Sequence, residues 1–198
     1  MDSHIAPVPL DKAYRLITHG PTVLVGARHQ ATDDVMAAAW ACALDFTPPR
    51  LTVVLDKATR TRELIEASGI FLIQVPTVAQ LRLTQVVGTR SLKDDPAKLM
   101  RAGVELFDVE GHELPFVAGC SAWLACRLRS EPRNQAAYDL FIGDVVAAWA
   151  DRRAFTEGRW HFETADPRWR SLHHVAGGHF YAIGEALDAP PADDTGAA

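Results

Sequence analysis

The sequence predicts a mainly β protein with flanking helices, folded as a closed antiparallel barrel with the helices at its ends. Long β-rich segments outnumber helical ones and do not alternate strictly with them, which argues against a doubly wound parallel sheet. Closure would also remove exposed sheet edges. With 48% hydrophobic and 23% charged residues, 198 residues suffice for one compact domain with a complete core. No repeat, low-complexity stretch or long linker divides the chain, so residues 1–187 read as a single domain. Residues 188–198, mostly Ala, Pro and Asp with few large apolar groups, read as a flexible tail.

The elements follow from local patterning. Leu10, Ala13, Tyr14, Leu16 and Ile17 recur near helical spacing, and a β-rich run over 22–26 closes at Gly26. Small residues surround Trp40 in a strand over 35–42. Pro48 and Pro49 break that run, since proline has no N–H for a ladder hydrogen bond, and a new strand follows over 51–55. Residues 61–68 place Leu64 and Ile65 on one helical face and stop at Gly69. A buried strand over 71–75 ends at Pro76, and the next helix, 78–87, carries Leu81, Leu83 and Val86 up to Gly88. Charge dominates 90–101, expected as a loop with a short helix. Further strands are expected at 104–107, 122–129, 140–149 and 179–183.

Twenty-five acidic against twenty basic residues give a formal charge of −5, which disfavours attraction of the whole surface to nucleic acid or anionic lipid. No apolar run reaches the roughly 18 residues needed to cross a bilayer, and the start lacks a basic flank followed by a hydrophobic stretch. The expectation is a soluble, cytoplasmic protein with no nucleic-acid or membrane partner. Cys42, Cys120 and Cys126 form no close CxxC pair, so they are expected as buried thiols. Cys120 and Cys126 share parity on one expected strand and should point to one face.

Neither GxGxxG after a strand nor GxxxxGK[ST] is present. A different phosphate device is. Between the strand ending at Leu55 and the following helix lie Lys57, Thr59, Arg60, Thr61 and Arg62, beside the unpaired amides of a helix start. Such a terminus attracts anions through those N–H groups and the helix dipole. The same residues also fit a plain alternative, in which Thr59 or Thr61 caps the helix and the charges stay solvated. A second polar cluster, residues 89–98, holds Ser91, Lys93 and Lys98, and on spacing alone it reads first as a charged, solvated loop. Ala37, Ala38 and Ala39 would let a flat ligand approach the backbone, or would simply pack closely inside a barrel. His173 and His174 are adjacent and would point to opposite faces of a strand, and HExxH is missing, so no metal site is expected. No GxSxG elbow supports a serine hydrolase.

In order and spacing, several segments together resemble the flavin reductase-like family, the FMN-binding split barrels that include flavoredoxin-type proteins. They are Asp34 to Trp40, Phe46 to Leu51, Lys57 to Ile65, Gly69 to Pro76, Gly88 to Ser91, Lys98 before Ala102 and Gly103, Leu140 to Val145, and Gly177 to Tyr181. The resemblance covers residues 21–184 and implies an antiparallel FMN-binding split barrel. It implies a homodimer with FMN near the subunit interface, with a monooxygenase or another redox protein as partner.

By the same resemblance, Asp34, Met36, Ala37, Ala38, Ala39 and Trp40 would line the flavin ring and ribityl chain. Lys57, Thr59, Arg60 and Thr61 would cradle the phosphate, and Ser91 and Lys98 would close over it. The implied activity is NAD(P)H-dependent flavin reduction by hydride transfer to flavin N5, with NADH or NADPH as donor. The alternative is an FMN electron carrier of flavoredoxin type. The cofactor does the electronic work, so no catalytic side chain is named. The chain departs from many relatives at Asp34, where they have Asn, at Ala37, where they have Thr, and at Asp45, where they have Ser. It also has Tyr138 where they often have a His associated with the nicotinamide.

Overall fold

The computed structural model describes residues 2–189; the expected tail lies, from residue 190 on, outside the described residues. The chain opens with β1 (Ile5–Pro7) and α1 (Leu10–Ala13), which continues as a 3-10 turn over Tyr14–Leu16. Next come β2 (Val23–His29), β3 (Thr32–Ala38), β4 (Ala41–Phe46), β5 (Pro49–Val54), α2 (Arg60–Ser68) and β6 (Ile70–Val75). A 3-10 turn, Val78–Gln80, leads into α3 (Leu81–Thr89), then α4 (Lys98–Ala102), β7 (Leu106–Val109), β8 (His112–Val117) and β9 (Ala122–Arg129). The last part holds α5 (Pro132–Tyr138), the long β10 (Leu140–Asp151), the short β11 (Phe155–Thr156) and β12 (Arg159–Trp160), and the hairpin β13 (Leu172–Ala176) and β14 (His179–Ala182).

The main sheet runs β3-β2-β6-β9-β10-β5-β4, with β1 also paired to β10, and its ladders are antiparallel. Among the described residues no ladder joins β3 to β4, the two ends of this path, so the continuous closed ladder expected from the strand pattern is not formed, and the architecture is the antiparallel split barrel that the resemblance implies. Period-two alternation builds the core on either side of the strands. Val23, Val25, Phe71, Ile73, Leu124 and Cys126 face one core, which also takes Leu64 and Ile65 of α2. Leu24, Leu72, Trp123 and Ala125 face a second core, under Leu83 and Val87 of α3 and Phe116 of β8. In β10 the inward parity shifts from Phe141 and Val145 to Ala148 and Ala150, because a bulge lies between Val145 and Ala147. No helix of the described residues is long and apolar enough to cross a membrane.

Several expectations need correction. The strand expected at 35–42 is two strands broken at Ala39 and Trp40, so the seam of the barrel falls inside it. Gly88 does not end its helix, which runs on to Thr89. A Cβ at Gly88 would lie 3.1 Å from the Ala37 side chain, so close packing onto β3 holds glycine inside the helix. The strand expected at 104–107 starts at Leu106. Cys120 and Cys126 are buried, and burial pushes both thiols up, but Cys42 is exposed on β4, at one end of the sheet. Cys120 precedes β9 and belongs to the second core, so it does not share a face with Cys126. Sequence patterning missed β1, β8, α5 and β11 to β13.

The β13–β14 hairpin is tied to the start of β2. Thr22 donates its amide to the Leu172 carbonyl (2.8 Å), and its hydroxyl accepts from the His174 amide (2.7 Å). Ser171, fully buried, sits between two imidazoles, with His19 Nε2 and His173 Nε2 each 3.1 Å from its hydroxyl. His173 Nδ1 reaches the Gly20 carbonyl at 3.0 Å. His19 packs against Trp160, Phe162 and His173, and its Nδ1 is buried without a partner among the described residues. Burial, with the neighbouring His173 adding to it, pushes the His19 imidazole down to about 4.

Two outcomes are expected. A Cβ at Gly143 would lie 2.6 Å from Phe71 Cζ, so Gly143→Ala should lower the unfolding free energy by about 1–3 kcal/mol in urea denaturation; a variant as stable as the parent would refute this packing. Between the ordinary histidine value of about 6.5 and the folded value, the unfolded chain takes up a proton at His19 that the folded chain does not, so stability falls as pH falls through that window. His19→Gln should flatten that acid limb in denaturation curves taken from pH 7 to pH 4, whereas an unchanged limb would mean that His19 charges freely in the fold.

Candidate functional site

The start of α2 is open. Thr59 occupies the N-cap position in an extended conformation, yet no side chain bonds the first-turn amides. Its hydroxyl instead donates backward to the Asp56 carbonyl at 2.8 Å. The Thr61 hydroxyl donates to Asp34 Oδ2 at 2.7 Å. Neither threonine caps the helix, as the plain alternative required, and the first-turn amides keep no side-chain cap.

In front of this terminus lies a cavity of about 210 Å³ that brings together Asp34, Met36, Thr59, Arg60, Thr61, Ser91 and Lys98, all singled out from sequence, with Gly88, Thr89 and Arg90. Its electrostatics are layered. Asp34 and Lys98 form a buried ion pair at 2.5 Å, each side chain 1% exposed. The Asp34 carboxylate also accepts the Val35 amide at 2.9 Å. Nearer solvent, Glu63 bridges Arg60 (2.6 Å) and Lys93 (2.7 Å), and the bonds from Lys93 and then Arg60 hold its carboxyl below the ordinary range. Arg90 lies 3.8 Å from Asp95.

A second cavity, about 410 Å³, adjoins the first through Gly88 and Thr89. Ala37, Ala38 and Ala39 form one wall; Gln85 of α3 and His174, Gly177, Gly178 and Phe180 of the hairpin form the others. The close-packing reading holds for Ala37, which packs against Gly88, and the same alanine borders the cavity. The buried Thr84 hydroxyl, also in this wall, has no hydrogen-bond partner among the described residues.

Two expected residues lie elsewhere. Lys57 donates to the Ala136 carbonyl at 2.8 Å and lies 3.5 Å from Asp139, so its ammonium serves the end of α5 and not the first cavity. Trp40, 74% exposed in the turn between β3 and β4, lines neither cavity. Arg62 also turns inward, bonding Asp139 (2.6 Å), the Leu55 carbonyl (3.0 Å) and the Gln135 carbonyl (3.1 Å). Tyr138 ends α5 and is 72% exposed. His174 and Gln85 were missed as wall residues. The adjacent histidines carried a usable signal, because opposite faces send His173 to Gly20 and His174 to the cavity.

Comparison with known proteins places this geometry. Residues 14–189 match the model of the family described as flavin reductase like domain. The crystal structure of an FMN-binding domain of flavin reductases-like enzyme from Shewanella baltica OS155 is 66% identical, covers 96% of this chain and 100% of its own, and superposes with a TM-score of 0.94. The Escherichia coli (strain K12) protein YddH is 40% identical over 190 residues, which is 94% of this chain and 99% of that protein. The flavoredoxin of Desulfovibrio vulgaris (Miyazaki F), 24% identical with a TM-score of 0.74 over 88% of this chain and 92% of its own, shares the fold. With its split antiparallel barrel and a match spanning nearly all its length, this chain belongs to the flavin reductase-like family.

Proposed function

We propose that this protein binds FMN, with the phosphate in the first cavity and the flavin ring toward the second, and reduces flavin with NADH or NADPH. One observation carries the reading: an uncapped helix start flanked by Thr59, Arg60, Arg90 and Ser91 opens through Gly88 and Thr89 into a larger cavity walled by small residues. The residues fit the group. Hydroxyls, guanidinium groups and free amides suit a phosphate dianion. A partnerless Thr84 hydroxyl in the wall and the side-chain-free backbone of Gly88, Gly177 and Gly178 suit a flat, polar-edged ring. The Shewanella baltica relative described as FMN-binding supports the same assignment.

When bound, FMN supplies the hydride-accepting chemistry. The chain binds and orients it: Thr59, Arg60 and Ser91 hold the phosphate end, Met36 and Ala37 to Ala39 border the ribityl and ring, and His174 and Phe180 shield one side from water. Aspartate 45 is taken up by Arg50, at 3.3 Å, and lines neither cavity. A homodimer completes the reading. Strand β4 is at one end of the sheet, and Trp40 with Leu44 and Phe46, 74%, 53% and 64% exposed, offers apolar cover for a second copy. A monooxygenase or another redox protein in the cytoplasm would take the reducing equivalents.

The test is the absorption spectrum of freshly purified protein, followed by anaerobic mixing with NADH and with NADPH. Flavin bands that bleach with either nucleotide are expected. A yellow protein reduced only by another redox protein would make it an electron carrier instead, and a protein that takes up no added FMN would sink the proposal. At residue level, Thr59→Ala with Ser91→Ala should weaken FMN about tenfold or more while sparing riboflavin, which lacks the phosphate. Lys57→Ala should leave the ratio of the two affinities unchanged, because its ammonium is held at α5.

A further inference from the structure

We infer that Asp34 is an internal competitor of the cofactor phosphate, so that this chain holds FMN as an exchangeable ligand and not as a resident group; the inference rests on the FMN reading above. Two of the phosphate donors that the family resemblance implies, Lys98 and Thr61, are already bound to this one carboxylate. Lys98 Nζ lies 2.5 Å from Asp34 Oδ1, and the Thr61 hydroxyl donates to Oδ2 at 2.7 Å. The Val35 amide adds a third bond at 2.9 Å. All three side chains are buried and border the first cavity, so the carboxylate stands at the helix start where an incoming dianion would be received.

Asp34 acts on both donors. Its charge and that of Lys98 cancel and the Thr61 proton is engaged, so the full positive charge that Lys98 alone would offer an anion is lost. The donors that remain are Ser91, the α2 amides, Arg60 and Arg90, and the Thr59 hydroxyl once it leaves the Asp56 carbonyl. Both arginines face carboxylates of their own, Glu63 at 2.6 Å and Asp95 at 3.8 Å. An asparagine at position 34 would keep a side chain of the same size, remove the competing charge and release a full positive charge beside the phosphate.

Affinities for FMN and riboflavin, by fluorescence titration, and for inorganic phosphate, by thermal shift, decide the matter in the parent, Asp34→Asn, Lys98→Met and the double variant. Asp34→Asn is expected to bind FMN on the order of tenfold more tightly, with slower release and unchanged riboflavin affinity. Lys98→Met should weaken FMN by leaving the carboxylate uncompensated, and the double variant should return to the parent affinity, because the pair it replaces is electrically silent. If Asp34→Asn does not fold, the comparison of Lys98→Met with the double variant still decides. An unchanged ratio of FMN to riboflavin affinity in Asp34→Asn, or selective loss of FMN in the double variant, would overturn the inference while leaving FMN binding intact. If no protein of the set binds either flavin or phosphate, the FMN reading falls and the inference with it.

Discussion

A single carboxylate joins the parts from which the site is made. Asp34 belongs to β3, Thr61 to the first turn of α2, and Lys98 to the first residue of α4, and their hydrogen bonds and ion pair fix all three elements around one buried point. Removing two opposite charges from water is costly, and their attraction compensates only when the geometry is close and the remaining lone pairs are satisfied. Both conditions hold at Asp34, whose two oxygens receive the Lys98 ammonium, the Thr61 hydroxyl and the Val35 amide. The separation of strand edge and helix start that defines the first cavity follows from this contact.

The second cavity depends on absent side chains. Ala37 to Ala39 and Gly88 let α3 lie close on β3 at one end, while Gly177 and Gly178 turn the hairpin at positive φ, beside Gln85. The hairpin in turn hangs on Thr22, which also borders this cavity, and on Ser171 with the two imidazoles beside it. Small residues therefore shape the space, and a buried polar cluster ties the hairpin wall to the start of β2.

The split in the barrel serves the same end. Among the described residues no ladder pairs β3 with β4 across the turn at Ala39 and Trp40. With the seam open, the alanines border a cavity and β4 keeps an outer edge with Trp40, Leu44 and Phe46 exposed. Long apolar side chains on a free edge are unfavourable for an isolated molecule, which is why this edge is the surface on which the proposed second copy is placed.

Much of this was legible in the chain. Period-two runs located β6, β9 and most of β10, glycine marked the end of α2, and the concentration of hydroxyls and cations after β5 located the helix start. These are short-range signals, set by side-chain alternation, backbone freedom and local charge. The sequence by itself therefore determined the class of fold and located the helix start on which the proposed anion site is placed. Only the tertiary structure decided which cations face that place: Lys57 and Arg62 are drawn to α5, an element without a strong local signature, and Lys98 is drawn to Asp34, sixty-four positions earlier in the chain. A long flexible cation goes to whichever desolvated carboxylate or carbonyl the fold brings within reach, and that neighbour is fixed by packing between distant segments, not by spacing along the sequence.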